Sequence, residues 1–337
     1  METKLLSNST ADLQEAAHLL KEGNVVGIPT ETVYGLAADA RNPEAVRQIF
    51  AAKGRPADNP LIVHIAKLEE LESVAVSVPE LALKLAEKFW PGPLTMILPK
   101  HPSIPTITSG GLDTVGVRMP SHLVARKLIE LSGVPIAAPS ANISGYPSPT
   151  TAQHVMRDMH GKIAAVVDGG DCCVGVESTV IALEREDSVR ILRPGYVTKE
   201  MLETVVPHVT LDKAILHQLQ EGQIVRSPGM KYQHYSPHAH VTLIEGRWPE
   251  FAAWVQQHAE AGTYALVFDG EGADLSVPYL TYGTGDAEQA HQVFAKLREL
   301  DDIGAKRVFV RAPNPNGIGL AVYNRLIRAA GFEVIQV

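Results

Sequence analysis

No stretch of the sequence approaches the roughly 18 consecutive apolar residues that a membrane-spanning helix needs. Its opening, METKLLSNST, also holds no apolar core of signal-peptide length. A cytosolic protein with no membrane partner is the expectation. Cysteine is nearly absent: Cys172 and Cys173 are the two present, and their adjacency strains any bridge between them and removes a disulfide framework. Basic charge is not in excess either, since 30 Lys and Arg face 38 Asp and Glu for a formal charge of -8. That sign disfavours a non-specific grip on phosphodiester backbones, so nucleic acid is not the expected main ligand. The phosphate loop GxxxxGK[ST] is missing, because Gly161-Lys162 runs on to Ile163. GTGDAE at Gly283 and NGIGLA at Gly317 both lack the third glycine of GxGxxG, and HExxH, CxxC and GxSxG do not occur.

What is present is an ordinary globular composition, 45% apolar and 20% charged over 337 residues, a length that calls for two cores. Apolar runs alternate with amphipathic segments throughout, the pattern of α/β architecture. A helix is predicted over residues 11–22, capped by Ser9 or Thr10 and stopped at Gly23-Asn24, followed by a buried strand over 25–29. Asn42-Pro43-Glu44 reads as a helix start leading into AVRQIFAAKG, with a strand over 61–66 and a helix over 80–90 after it. LTMIL, TVGVRM, PIAAP, AAVVD, STVIAL and VRIL supply further strands, with helices starting near Ser121, Thr151 and Val197. The segment SPGMKYQHYSPH has neither helical nor strand period, and beyond it VTLIEG, TYALVF, KRVFVR and FEVIQV alternate with helices in a small, mostly parallel α/β unit. The expected domains are 1–207, a linker at 208–239 and a second domain at 240–337.

Polar residues repeatedly follow strand ends in the first 200 residues, where open α/β sheets gather ligands. The segments are PTETVYGLAADA, KGRPADNPLIVH, TVGVRMP, APSANISGYPSPT, VESTV and RILRPG. They offer Lys53, Arg55, Arg118 and Arg193 as cations, with Thr32, Ser140, Asn142, Ser148 and Ser178 as short polar groups. Guanidinium matches phosphate and carboxylate in a bidentate way, so the expected ligands are a polyphosphate and a carboxylate. Taken singly, each arginine reads equally well as a surface ion pair, and a histidine in the apolar run LIVHIA reads more readily as a sheet residue than as a site residue. Cys172 reads as a space-filler, and His122, His154 and His160 read as surface residues on helices.

These segments resemble the signatures of the threonylcarbamoyl-adenylate synthases, whose catalytic unit is the YrdC-like domain. PTETVYGL, KGRP with NPL, PSAN, ESTV and RPG stand in that family's order and spacing, and SPGMKYQHYSP resembles the linker of its long form. The resemblance implies a twisted mixed sheet with flanking helices, plus a small Rossmann-like second domain. It implies a reaction of ATP, L-threonine and bicarbonate that yields threonylcarbamoyl-AMP and pyrophosphate for modification of tRNA. Carried over by position, Arg55, Asn59, Thr114, Ser140, Asn142, Ser148 and Arg193 hold ATP, with Tyr235 reaching it from the linker. Thr32, His64, Arg118, the backbone at Ala138, and Ser178 hold threonine, and Lys53 with Arg55 forms the family's Lys-x-Arg pair around the triphosphate. No carboxylate cage is evident, so Mg2+ is expected to arrive with ATP. The alternatives are an RNA-binding or regulatory YrdC-like module, which the acidic balance disfavours, and a carbamoyl transferase whose extra acylphosphatase and zinc-finger parts this chain lacks. The product's hand-off to a tRNA threonylcarbamoyl transferase is the expected partnership.

Overall fold

The computed structural model describes residues 2–217 and 234–337. Among them the chain forms two compact units, one of residues 2–144 and 148–215 and one of residues 145–147, 216–217 and 234–337. In the first unit the strands are β1 (Lys4–Leu6), β2 (Val26–Ile28), β3 (Gly35–Asp39), β4 (Ile62–His64), β5 (Leu94–Pro99) and β6 (Thr114–Arg118). They continue with β7 (Ile136–Ala137), β8 (Ala165–Val167), β9 (Thr179–Arg185), β10 (Ser188–Arg193) and β11 (His208–Leu211). They form one mixed sheet in the order β1-β8-β2-β3-β7-β4-β6-β5-β9-β10-β11.

Helices α1 (Thr10–Lys21), α2 (Pro43–Lys53), α3 (Glu80–Phe89), α4 (Leu123–Ser132), α5 (Ala152–Met159) and α6 (Lys199–Glu203) flank the sheet. Their starts follow from side chains that meet orphan N–H groups: Ser9 accepts from Asp12 N, Asn42 from Glu44 N and Ala45 N, and Thr151 from His154 N. Pro43 at the first turn of α2 loses no hydrogen bond there, and Gly54 ends the helix in the left-handed region at φ 61°. The α4 helix begins two residues later than expected, because its cap, His122, makes no side-chain cap bond and Ser121 stays outside it. Leu13, Ala16, Ala17 and Leu20 of α1 bury against Leu128 and Ile129 of α4 and against Val26 and Ile28 of β2. Each such leucine contributes on the order of 2 kcal/mol.

In the first unit three strands escape the sequence reading. β3 lies inside the expected polar loop because GLAAD has no β-branched residue, yet it pairs antiparallel with both β2 and β7. β1 is a three-residue edge strand against β8. β11 pairs in parallel with β10 and carries the sheet past residue 207 into the segment expected as linker. Residues 218–233 of that linker, including most of SPGMKYQHYSP, lie outside the described residues.

The second unit is a five-stranded sheet in the order β14-β13-β15-β12-β16, from β12 (His240–Glu245), β13 (Thr263–Val267), β14 (Tyr279–Thr281), β15 (Arg307–Arg311) and β16 (Val334–Gln336). Every pairing in it is parallel. Helices α7 (Trp248–His258), α8 (Asp286–Asp302) and α9 (Gly319–Ala329) supply three of the crossovers that parallel strands need, and residues 268–278 join β13 to β14 without a helix. Among the described residues no helix is long and apolar enough to cross a membrane.

The Asn42 cap satisfies two N–H groups at once, so Asn42→Ala should cost about 1 kcal/mol in chemical denaturation. A loss under about 0.3 kcal/mol would mean that water serves this helix end equally well.

Candidate active site

Strand direction decides which side chains meet. In the parallel pair β4 and β6, His64 lies opposite Arg118. β5 runs antiparallel to β6, β9 parallel to β5, and β10 antiparallel to β9 with Arg193 opposite Val180. His64, Arg118, Ser178 and Arg193 therefore stand along one edge of the sheet. Thr114 starts β6 at its other end, four residues and about 13 Å from Arg118. Ala138 N donates to Ile62 O at 3.0 Å, so the turn after β7 follows the Asn59 end of β4. The expected residues thus divide into two groups along one elongated region.

In the first group Arg118 is 4% exposed and held from three directions. Nη1 donates to Thr32 Oγ1 at 2.9 Å and Nε to Gly92 O at 3.4 Å, while Nη2 sits 2.6 Å from Glu31 Oε1. Glu31 is missing from the sequence reading. Burial alone would raise its pKa, but the Arg118 charge and hydrogen bond, with backbone N–H groups of Glu31 and Ser121, outweigh burial and hold the carboxyl below its ordinary range. An acid between two threonines in an otherwise uncharged stretch was the available signal. Thr32 also exchanges a 2.9 Å bond with Thr30 Oγ1.

His64 is buried, with Nδ1 3.2 Å from Ile62 O. Burial first, and then the Arg118 charge, push its pKa down to about 3, so the imidazole is neutral near pH 7. His122, expected on a helix surface, is half-buried at the α4 cap, and burial lowers its pKa too. His154 is half-buried and His160 exposed. Cys172 is buried with its thiol pushed well up by burial, which suits the space-filling reading.

The second group begins at Lys53. Its side chain is buried and its ammonium donates to Ser140 O, to Asn142 O at 2.7 Å and to Asn142 Oδ1 at 3.3 Å. An ammonium has three donors. Here they fasten the 140–142 turn to the end of α2. Arg55 follows the left-handed Gly54, and its Nη2 donates to Pro60 O at 3.3 Å. Asn59 is 1% exposed, and neither polar atom of its amide has a hydrogen-bond partner.

Ser148 donates to Glu177, a second buried acid that the sequence reading passed over. Ser178 Oγ meets Thr95 Oγ1 at 2.8 Å, and Arg193 Nε and Nη2 reach Ser178 O at 3.1 and 3.0 Å. The glycine of RPG explains itself: a Cβ on Gly195 would lie 2.4 Å from Thr179 N, so only glycine lets the turn approach ESTV. Tyr235, expected at the nucleotide, belongs to the second unit, where its ring lies 5.2 Å from that of Phe294 and 5.5 Å from the Arg325 guanidinium.

A family model described as telomere recombination, spanning Sua5, YciO and YrdC, matches residues 18–195. The C-terminal domain of threonylcarbamoyl-AMP synthase matches residues 197–331. A threonylcarbamoyl-AMP synthase of Pyrococcus abyssi is 46% identical over 327 residues, covering 96% of this chain and 95% of its own. The chain belongs to the threonylcarbamoyl-AMP synthase family. A Bacillus subtilis member is 44% identical over 342 residues, covering 99% of this chain and 97% of its own. The crystal structure of P. abyssi Sua5 complexed with L-threonine matches with a TM-score of 0.93 at 43% identity, over 100% of both chains. The resemblance read from the motifs and the YrdC-like fold with its second domain are both borne out.

His64 makes acid stability testable. Its unfolded pKa near 6.5 exceeds the folded value of about 3, so between them the unfolded chain binds a proton that the folded chain refuses. Stability is lost as pH falls through that window. From pH 7 to 5 this single group should cost about 2 kcal/mol, which His64→Gln should recover as a shallower loss in urea unfolding. Equal losses in both proteins would show that His64 is not held neutral by burial.

Proposed function

We propose that this chain condenses L-threonine, bicarbonate and ATP into threonylcarbamoyl-AMP and pyrophosphate, for the threonylcarbamoyladenosine modification of tRNA. The observation that carries the reading is the whole-chain match to the threonine-bound P. abyssi structure. The ammonium group of threonine gives up a proton, and the resulting amine condenses with bicarbonate with loss of water, giving a carbamate. A carbamate oxygen attacks the α-phosphorus of ATP, the bond to the bridging oxygen breaks, and pyrophosphate leaves. The chain then acts as a nucleotidyltransferase toward the carbamate.

Such a step needs alignment and charge stabilisation more than covalent help from the protein. Arg55 and Arg193 supply the cations, and Asn59, Thr114, Ser140 and Ser148 the neutral contacts to ATP. Lys53 and Asn142 act by shaping the 140–142 turn. Arg118 meets the threonine carboxylate, with Thr32, His64, Ser178 and the Ala138 backbone completing the pocket. Tyr235 is kept as a nucleotide contact from the linker end. Among the described residues no three His, Cys, Asp or Glu side chains gather to hold a metal. Mg2+ therefore stays in this reading as the counter-ion that ATP carries. The product is a mixed anhydride prone to hydrolysis, which favours direct transfer in the cytosol to the enzyme that modifies tRNA.

With labelled ATP the expected products are pyrophosphate and a threonine-dependent AMP adduct by mass spectrometry, and omission of bicarbonate should stop turnover. ADP and phosphate alone would point to an ATPase instead. Arg118→Ala removes the partner of a desolvated carboxylate, so it should raise the threonine KM about 30-fold or more and change ATP affinity much less. Loss of ATP affinity with threonine binding intact would reverse the assignment of the two groups.

A further inference from the structure

The loop between β2 and β3 brings a carboxylate into the threonine pocket for no reason of stability. Glu31 and Arg118 are each 4% exposed in their side chains and 2.6 Å apart. Both carboxylate oxygens of Glu31 are buried, and Oε1 faces the guanidinium beside it. A buried ion pair is a poor source of stability, because desolvating both ions offsets most of their attraction. What it supplies is geometry. Guanidinium is a flat fork of five N–H donors, and fixing its plane fixes where every remaining donor points.

Arg118 is held on three sides by two separate loops. Nη2 faces Glu31 and Nη1 donates to Thr32, both from the β2–β3 loop, while Nε donates to Gly92 before β5. Among the described residues His64, His122 and Cys172 also feel the Glu31 charge, and burial disfavours the charged form of each. Arg118 is therefore the cation that answers this carboxylate.

We propose that Glu31 is a positioning residue for threonine recognition, holding the Arg118 guanidinium in the orientation that receives the substrate carboxylate. This rests on the reading of Arg118 as the threonine contact. Glu31 then contributes to the threonine KM through Arg118 and has no part in nucleotide binding. The contact with Thr32 belongs to the same arrangement, since the residue that follows Glu31 in the chain caps the adjacent nitrogen of the fork.

The test is steady-state kinetics on the full chain, varying threonine and ATP separately. The variants are Glu31→Gln, Glu31→Asp, Arg118→Ala and Glu31→Gln combined with Arg118→Ala. Glu31→Gln keeps the shape and removes the charge, so the threonine KM should rise about tenfold while the ATP KM stays within about twofold. Glu31→Asp keeps the charge at a greater distance and should fall between wild type and Glu31→Gln. In the Arg118→Ala background the Glu31→Gln change should add almost nothing, because its effect passes through the missing guanidinium. A purely structural role would instead lower activity without separating the two substrates. A threonine KM unchanged in Glu31→Gln, or an undiminished effect without Arg118, overturns the proposal. If Glu31→Gln does not fold, a threonine KM for Glu31→Asp equal to wild type overturns it alone. An Arg118→Ala variant with normal threonine KM overturns the assignment beneath it, and with it the proposal, while absence of the AMP adduct in wild type overturns the reaction itself.

Discussion

Burying charge without a partner costs several kcal/mol per ion, and the first unit buries Glu31, Lys53, Arg118, Glu177 and Arg193. Each must therefore be met, and the partners come from distant parts of the chain. Lys53 at the end of α2 reaches carbonyls 87 and 89 residues away, Arg118 reaches a hydroxyl 86 residues back, and Ser148 meets Glu177 across 29 residues. Loops that would otherwise wander are fixed by these obligations. The site is shaped by the cost of dehydrating its own charges, and the strands supply the frame on which the partners can reach one another.

That frame is a mixed sheet, which matters for how the two substrates are separated. A purely parallel sheet would send all its ligand-facing loops to one end. Here β6 runs from Thr114 to Arg118, and antiparallel β5 and β7 return the chain between the two ends. In the proposed reaction the amino acid and the nucleotide lie side by side, with Arg193 of the ATP set donating to Ser178 of the threonine set, and the carbamate meets the α-phosphorus between them. Residue type follows the division of labour. Arg55, Arg118 and Arg193 are planar forks suited to carboxylate and phosphate, whereas Lys53, a point charge with three rotatable donors, holds backbone carbonyls.

Much of this was legible in the sequence because it depends on local chemistry. The Ser9, Asn42 and Thr151 caps, the glycine after α2 and the proline at its start act within a few residues, and their helices begin where the signals stand. The motif residues were legible through family resemblance, as polar groups in strand-end loops. What could not be read was pairing at a distance. GLAAD carries no strand propensity, and becomes β3 because β2 and β7 flank it on both sides. Lys53 reads as a phosphate ligand until the 140–142 turn is seen closing on it. Glu31 and Glu177 sit within the quoted motifs, but an acid in an anion-binding site looks like an error until the cation it answers is known.

The same reasoning explains why neither His64 nor Cys172 is poised as a base or a nucleophile. His64 is neutral because it is buried beside a cation, and the Cys172 thiol is kept protonated by burial, so neither offers a reactive charge near neutral pH. For the proposed chemistry none is required, since the attacking oxygen belongs to the substrate's own carbamate. A buried general base would add another charge to dehydrate, in a unit that already compensates several. A pocket made of ion-paired arginine, hydroxyls and a neutral imidazole can orient a carboxylate and a carbamate without competing for the phosphorus. On the proposed reading its selectivity depends on the angle at which Arg118 is held, and so on the residue behind the guanidinium as well as on the guanidinium.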